Sequence, residues 1–265
     1  MINPQLKKIL LGLTLPVLIC LVWQYLGELP QFAGILPTPL KVLQGWGDWI
    51  FAKPGMGLNP YLGTWTANVS YSGSRVIQGF LLACFIGIPM GLMIGWSRLA
   101  SSIVDPLIQG LRPIPITAWL PFSIAIFGIK DFGSIFLIFL GGLYPIVVNT
   151  TQGARDIEKN LVRAALMMGA SPYQLLLRVV LPASTPSIFT GLRIGLGIAW
   201  TAVIVSEMVA VKSGLGYVLW DAYYVGRMDI VLADMVSIGV MGFISDQIIV
   251  LVQNKFLSWR ILQSH

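Results

Sequence analysis

Residues Val76–Trp96 read VIQGFLLACFIGIPMGLMIGW, an apolar block with no charged side chain. Its length is close to the roughly 20 residues that carry a helix across a bilayer. Neither the alternation of a half-buried strand nor the stripe of a soluble amphipathic helix is present. Comparable blocks recur on both sides, and six spans are expected at about 9–27, 76–96, 104–128, 134–149, 187–211 and 230–252. The 265 residues are 56% hydrophobic and 11% charged, against about 25% charged in ordinary soluble domains. The alternating pattern of a membrane barrel is missing. The fold class is therefore an all-α integral membrane protein, a single transmembrane domain over residues 1–265. Lys7 and Lys8 resemble the basic start of a secretory signal, but the apolar run is long and no small-residue cleavage site closes it, so it should stay as the first span. Pro106, Pro113, Pro115 and Pro121 fall in the third span and should break it, which lipid tolerates only against protein or a watery cavity. The fourth span is expected to be short and rich in glycine.

The net charge of +6 reflects topology more than a partner. With the N-terminus inside, the inner segments hold Lys7, Lys8, Arg98, Arg155, Lys159, Arg163, Arg178, Lys255 and Arg260. The outer ones hold Lys41, Lys53, Lys130, Lys212 and Arg227. Cations concentrate on the cytoplasmic side of membrane proteins, so both termini are expected there. Nucleic-acid binding is not indicated. Cys20 and Cys84 lie inside apolar blocks and His265 stands alone at the C-terminus, so neither a disulfide nor a metal site is expected. The outer segment from about Glu28 to Ser74 contains Pro37, Pro39, Pro54 and Pro60 with Trp46, Trp49 and Trp65, which suits an interfacial aromatic belt or a short helix lying on the membrane. Gly87, Gly91 and Gly95, and Gly191 with Gly195, permit close helix contact within the chain or with a second copy.

The cytoplasmic segment of about 155–186 is the most informative. Asp156–Met168 reads as a helix with acids at its start, ended by a left-handed Gly169. Ser171 followed by Pro172 starts a second helix over Tyr173–Leu181, after which Pro182 should redirect the chain. Together they form a knob with an apolar side, including Leu166, Leu175 and Leu176, and a basic side with Arg163 and Arg178.

Here the sequence resembles the permease subunits of bacterial ATP-binding-cassette importers of type I. Their signature of Glu-Ala-Ala, a following Gly, and a later Leu-Pro is matched by Arg163-Ala164-Ala165, Gly169-Ala170-Ser171 and Leu181-Pro182. Arg163 replaces the Glu, so an acid contact is not carried over at that position. The stretch Ile188–Trp200, with Ser206-Glu207-Met208, Ser213-Gly214-Leu215-Gly216-Tyr217 and Arg112-Pro113-Ile114-Pro115, is similar to the nitrate, sulfonate and bicarbonate branch. The resemblance covers about Val76 to Gln253.

That resemblance implies that Arg163, Ala164, Ala165, Gly169, Ala170, Ser171, Pro172, Leu181 and Pro182 couple the spans to an ATPase. It implies a bacterial inner-membrane protein, a second permease copy, two ATPase subunits and an extracytoplasmic solute-binding protein. ATP and Mg would bind to the ATPases, with no cofactor on this chain. A Gly-x-x-x-x-Gly-Lys-Ser/Thr loop is missing from the sequence, as expected for a transport subunit that is not itself an enzyme. The expected cargo is a small oxyanion, nitrate, nitrite or bicarbonate first, taurine or an alkanesulfonate as the alternative. A carrier driven by an ion gradient is the competing class, with Glu207 its slender support.

Ionisable residues inside spans are costly and point to function. Arg193, Trp200 and Glu207 recur every seven residues and share a face that should turn away from lipid. Arg112 lies in the broken third span, and its planar fork, like that of Arg193, suits an oxyanion. Either arginine could instead snorkel, or pair with Asp105 or Glu207 to fix helix packing. Thr201, Asn149 and Thr150 are further candidates for the path, although such residues often bond to backbone.

Overall fold

The computed structural model describes residues 4–32, 34–53 and 60–257. Pro54, Arg260 and His265 lie outside the described residues, as do the side chains of Lys7 and Lys8. Helix α1 (Pro4–Glu28) is followed by α2 (Pro39–Phe51), and α3 (Trp65–Trp96) is a long span. Next come α4 (Arg98–Leu111), a short turn at Ile116–Trp119 and α5 (Leu120–Phe127). The chain continues through α6 (Asp131–Arg155), α7 (Lys159–Met167), α8 (Pro172–Leu175), a π turn at Leu176–Val180 and α9 (Leu181–Ala210). Helices α10 (Leu215–Tyr224) and α11 (Met228–Phe256) complete it.

Four of these stretches are long and apolar enough to cross a membrane: α3, α6, the run Pro172–Ala210, and α11. The pair α4 and Ile116–Phe127 passes as one span broken by a 92° bend. In α1 the described apolar part, Thr14–Glu28, is shorter. Of the four prolines expected to break this span, Pro113 and Pro115, with no N–H to donate, lie at the bend, whereas Pro106 sits inside α4 and Pro121 in the first turn of α5. The third span thus starts at Arg98 and is two helices rather than one. The second span starts earlier than expected, at Trp65, since Ser72, Arg75 and their neighbours are polar to a hydropathy reading but fully helical. The fourth is not short: α6 has 25 residues.

Helix α6 is the centre of the bundle, with its most extensive contacts to α3 and α9. On α3 a small residue comes every fourth position and faces every fourth residue of α6. A Cβ at Gly79 would stand 2.6 Å from Ile138 Cγ2, one at Gly91 2.6 Å from Thr150 Cβ, and one at Gly95 2.5 Å from Ala154 Cβ. Ala83 and Gly87 meet Gly142 and Ile146 between them. Against α9, Gly191 approaches the carbonyl of Pro145 and Gly195 that of Gly142. The glycine pairs therefore serve packing inside this chain. Lipid tails are as apolar as these side chains, so close backbone approach supplies the cohesion that burial alone does not.

The segment expected on the outside forms α2, capped by Thr38 with Pro39 in its first turn. Its tryptophans do not form a lipid-facing belt. Trp49 is fully buried and donates to Thr64 Oγ1 at 3.2 Å, while Trp65 reaches across to Ser237 Oγ on α11 at 2.9 Å. Tyr61 donates to Asp221 on α10 at 2.6 Å. Burial, then the Asp221 carboxylate, push this phenol above its ordinary pKa.

Candidate functional site

The segment after α6 folds into a projecting pair of short helices. Met168 ends α7, and Gly169 takes φ +80°. The amides of Gly169 and Ala170 donate to the carbonyls of Leu166 and Ala165 at 3.0 and 3.1 Å, a closed C-terminal cap that needs the left-handed glycine. Ser171 Oγ accepts from the Gln174 amide and the Gln174 side chain returns to the Ser171 amide, so α8 starts with a full capping box. The acids do not sit in the first turn of α7: Asp156 caps the end of α6 and Glu158 precedes Lys159. Nor does Pro182 redirect the chain, because α8, the π turn and α9 run on as one helical stretch, Pro172–Ala210. Pro182 directly follows the π turn, where the Leu181 N–H donates to the Leu176 carbonyl, and the helix carries on past it.

The apolar side of the knob divides. Leu175 and Ala165 are buried, and Leu176 and Leu181 pack with Leu92, Ala154 and Val180 to anchor it. Leu166, Met167, Met168 and Tyr173 face outward, at 52, 88, 82 and 69% exposure. Arg163, Ala164, Ser171, Pro172, Arg178 and Pro182 are exposed and Ala170 is half-buried.

A cavity of about 370 Å3 opens where the break after α4 meets α6 and α9. Arg112 to Ile116 line one side, Gly141, Tyr144, Pro145, Val148 and Asn149 another, and Ile194 and Ile198 the third. Arg112 is exposed in it, and no ion pair engages it among the described residues. Asp105 instead pairs with Arg155 at 2.9 Å. Asn149 donates to the Pro145 carbonyl at 2.8 Å. Thr150 turns the other way, buried against Gly91.

The heptad residues of α9 divide by depth. Glu207 is fully buried and Trp200 nearly so, its indole donating to Ser245 Oγ at 2.9 Å. Arg193 is exposed and forked onto Asp246 of α11 by two bonds of 2.8 Å, not onto Glu207. Thr201 is exposed and its hydroxyl donates to the Gly197 carbonyl at 3.3 Å.

Glu207 belongs to a closed hub at the opposite end of the bundle from the knob. Arg75 Nη1 donates to Glu207 Oε1 at 2.6 Å and to the Ser213 carbonyl at 2.9 Å. Its Nη2 reaches Ser213 Oγ at 2.6 Å and Asp131 Oδ1 at 2.7 Å, and Nε donates to the same Asp131 oxygen at 2.8 Å. Ser72 donates to Glu207 and accepts from the Leu215 amide, and Gly216 N–H donates to Glu207 Oε2 at 3.0 Å. Gly214, at φ +107°, lies so close that any Cβ would collide with the Glu207 carboxylate. The Ser213-Gly214-Leu215-Gly216 motif is thus the turn that wraps a buried glutamate, and the guanidinium N–H groups of Arg75 are spent on this turn, Glu207 and Asp131.

Residues 87–258 match the family described as binding-protein-dependent transport system inner membrane component. The chain belongs to this permease family. A putative ABC transporter permease of Methanocaldococcus jannaschii is 40% identical over 96% of this chain and 93% of its own. A putative aliphatic sulfonates transport permease of Bacillus subtilis is 32% identical over 94% and 87%. A nitrate import permease of Synechocystis is 33% identical over 88% and 84%. These relatives agree with the nitrate, sulfonate and bicarbonate branch that the motifs resembled. Among solved structures, a chain of the MetNI methionine ABC transporter, inward facing, superposes with a TM-score of 0.61 at 20% identity, over 74% of this chain and 99% of that one. That likeness shows the type I permease fold.

The reading of the permease sequence missed Arg75, Ser72, Asp131 and Asp246, and also Asp234, a buried carboxylate on α11 with no hydrogen-bond partner among the described residues. The signal was available for the two α11 acids, which interrupt an otherwise apolar span.

Proposed function

We propose that this chain is the permease subunit of an ATP-driven importer, carrying a small oxyanion: nitrate, nitrite or bicarbonate, or an alkanesulfonate by the same mechanism. The observation that carries this reading is the α7–α8 knob. It ends in a capped, rigid corner, exposes an apolar cluster suited to a protein partner, and continues without a break into α9. A nucleotide-driven closure that grips the knob moves α9 as a rigid body. Arg163, Ala164, Gly169, Ser171 and Pro172 lie on the gripped surface, while Ala165, Leu181 and Pro182 join it to the span. Arg163 brings a cation where the family signature has an acid, so its contact in the ATPase cleft would be an acid or a carbonyl.

The knob end would be cytoplasmic and the α2 end external, in line with the distribution of lysine and arginine. Two copies would enclose the path, two ATPases would hold ATP and Mg, and a solute-binding protein would deliver cargo to the α2 end. No cofactor is assigned to this chain itself. Within the path, Arg112 is the oxyanion contact, because it lines the cavity and its guanidinium is engaged by no partner among the described residues. Arg193, Trp200 and Glu207 are packing and tethering residues, since each is bonded to another helix or to a loop.

The test is Met167→Glu, a change on the exposed cap of the knob. Purified with its co-expressed ATPase and reconstituted with the binding protein, this variant should lose co-elution of the ATPase and at least tenfold of ATP-dependent uptake. Its thermal midpoint in detergent should stay at the wild-type value. Undiminished co-elution and uptake would refute the importer reading, and uptake that follows an ion gradient without ATP would replace it with a carrier.

A further inference from the structure

The cavity beside Arg112 carries more than a charge. Its polar equipment is small: the Arg112 guanidinium, the Tyr144 hydroxyl and the Asn149 amide, the last already donating to Pro145. The remaining wall is aliphatic, formed by Ile114, Pro115, Val148, Ile194 and Ile198 among others. Pro113 and Pro115, at the break itself, have no backbone N–H to offer.

A nitrate or bicarbonate ion is hydrated on all sides, and leaving water for this wall would strip most of its hydrogen bonds without replacement. An anion with an oxyanion head and a short aliphatic tail meets the same wall differently. Its head takes the bidentate fork of Arg112, and each methylene is removed from water against isoleucine and proline. The volume of about 370 Å3 accommodates a tail of several carbons beside the head. From this we infer that the cavity selects organic oxyanions with a short apolar tail, sulfonate or carboxylate, over bare inorganic ones. The inference rests on the proposed transport path and narrows its cargo.

The experiment is equilibrium binding to the purified permease in detergent, without the binding protein, whose own selectivity would mask that of the cavity. The probes are methane-, ethane-, butane- and hexanesulfonate, the matching carboxylates, sodium nitrate and sodium bicarbonate. Affinity should rise about two- to fourfold per methylene along the series, level off when the cavity is full, and exceed that for nitrate and bicarbonate. The rise should be blunted in Ile198→Asn, and binding of all tailed anions should fall at least tenfold in Arg112→Gln. Nitrate or bicarbonate binding as tightly as butanesulfonate, or affinity indifferent to tail length, would overturn the inference, as would an unchanged Arg112→Gln. ATP-driven uptake measured on the same wild-type preparation separates the two failures: intact uptake with no dependence on the tail removes this inference and leaves the importer standing.

Discussion

The two ends of this permease treat polar and glycine residues in opposite ways. At the hub, Arg75 spends its donors on Glu207, Ser213 and Asp131, Ser72 bonds the buried Glu207, and Gly214 is enclosed by the carboxylate it wraps. At the knob, Gly169 has nothing within 4 Å of where a Cβ would be, and Met167 and Met168 point outward. Both glycines have positive φ, yet one is required by its neighbours and the other only by its backbone. A saturated end acts as a fixed point for the helices it joins, and an unsaturated end is available to a partner.

The contrast can be broken most severely at Arg75. Arg75→Met leaves Glu207 buried and unpaired, a loss of about 3–5 kcal/mol, and thermal unfolding in detergent should show a large drop in midpoint. Adding Glu207→Gln should restore part of it, and a single variant as stable as wild type would mean that the hub is not the fixed point. Gly214→Ala should cost about 1–3 kcal/mol, from the left-handed backbone together with the collision against Glu207, read by the same melt. Gly169→Ala should cost about 1 kcal/mol for its backbone alone, confined to the knob. Hydrogen exchange should quicken over residues 159–175 while the global midpoint holds. Equal losses at the two glycines would erase the distinction between the ends.

Much of this was legible because membrane chains write their spans in composition. The knob was legible through Gly169, Ser171 and Pro172, whose roles are local and follow from backbone chemistry. The heptad of Arg193, Trp200 and Glu207 was visible as a face, but not its partners, which lie on other helices: Glu207 meets Arg75, 132 positions away. Arg75 itself was hidden by the edge of an apolar block, since hydropathy ends a span at the first polar cluster whereas helical hydrogen bonding continues back to Trp65. Pro182 misled for a similar reason. Proline reads as a break, but directly after a π turn, where the bonding register has already shifted, the helix continues through it.

The 39-residue run from Pro172 to Ala210 is a rod of about 58 Å at the usual rise per residue, nearly twice the thickness of the hydrocarbon slab. Ile194 and Ile198 sit on its shaft and the knob at its tip. A tilt of roughly ten degrees about the hub at Glu207 swings the tip by about 9 Å, using the same rise. Grip and cavity wall therefore belong to one lever, and they move in a single stroke without any relay of side chains between them.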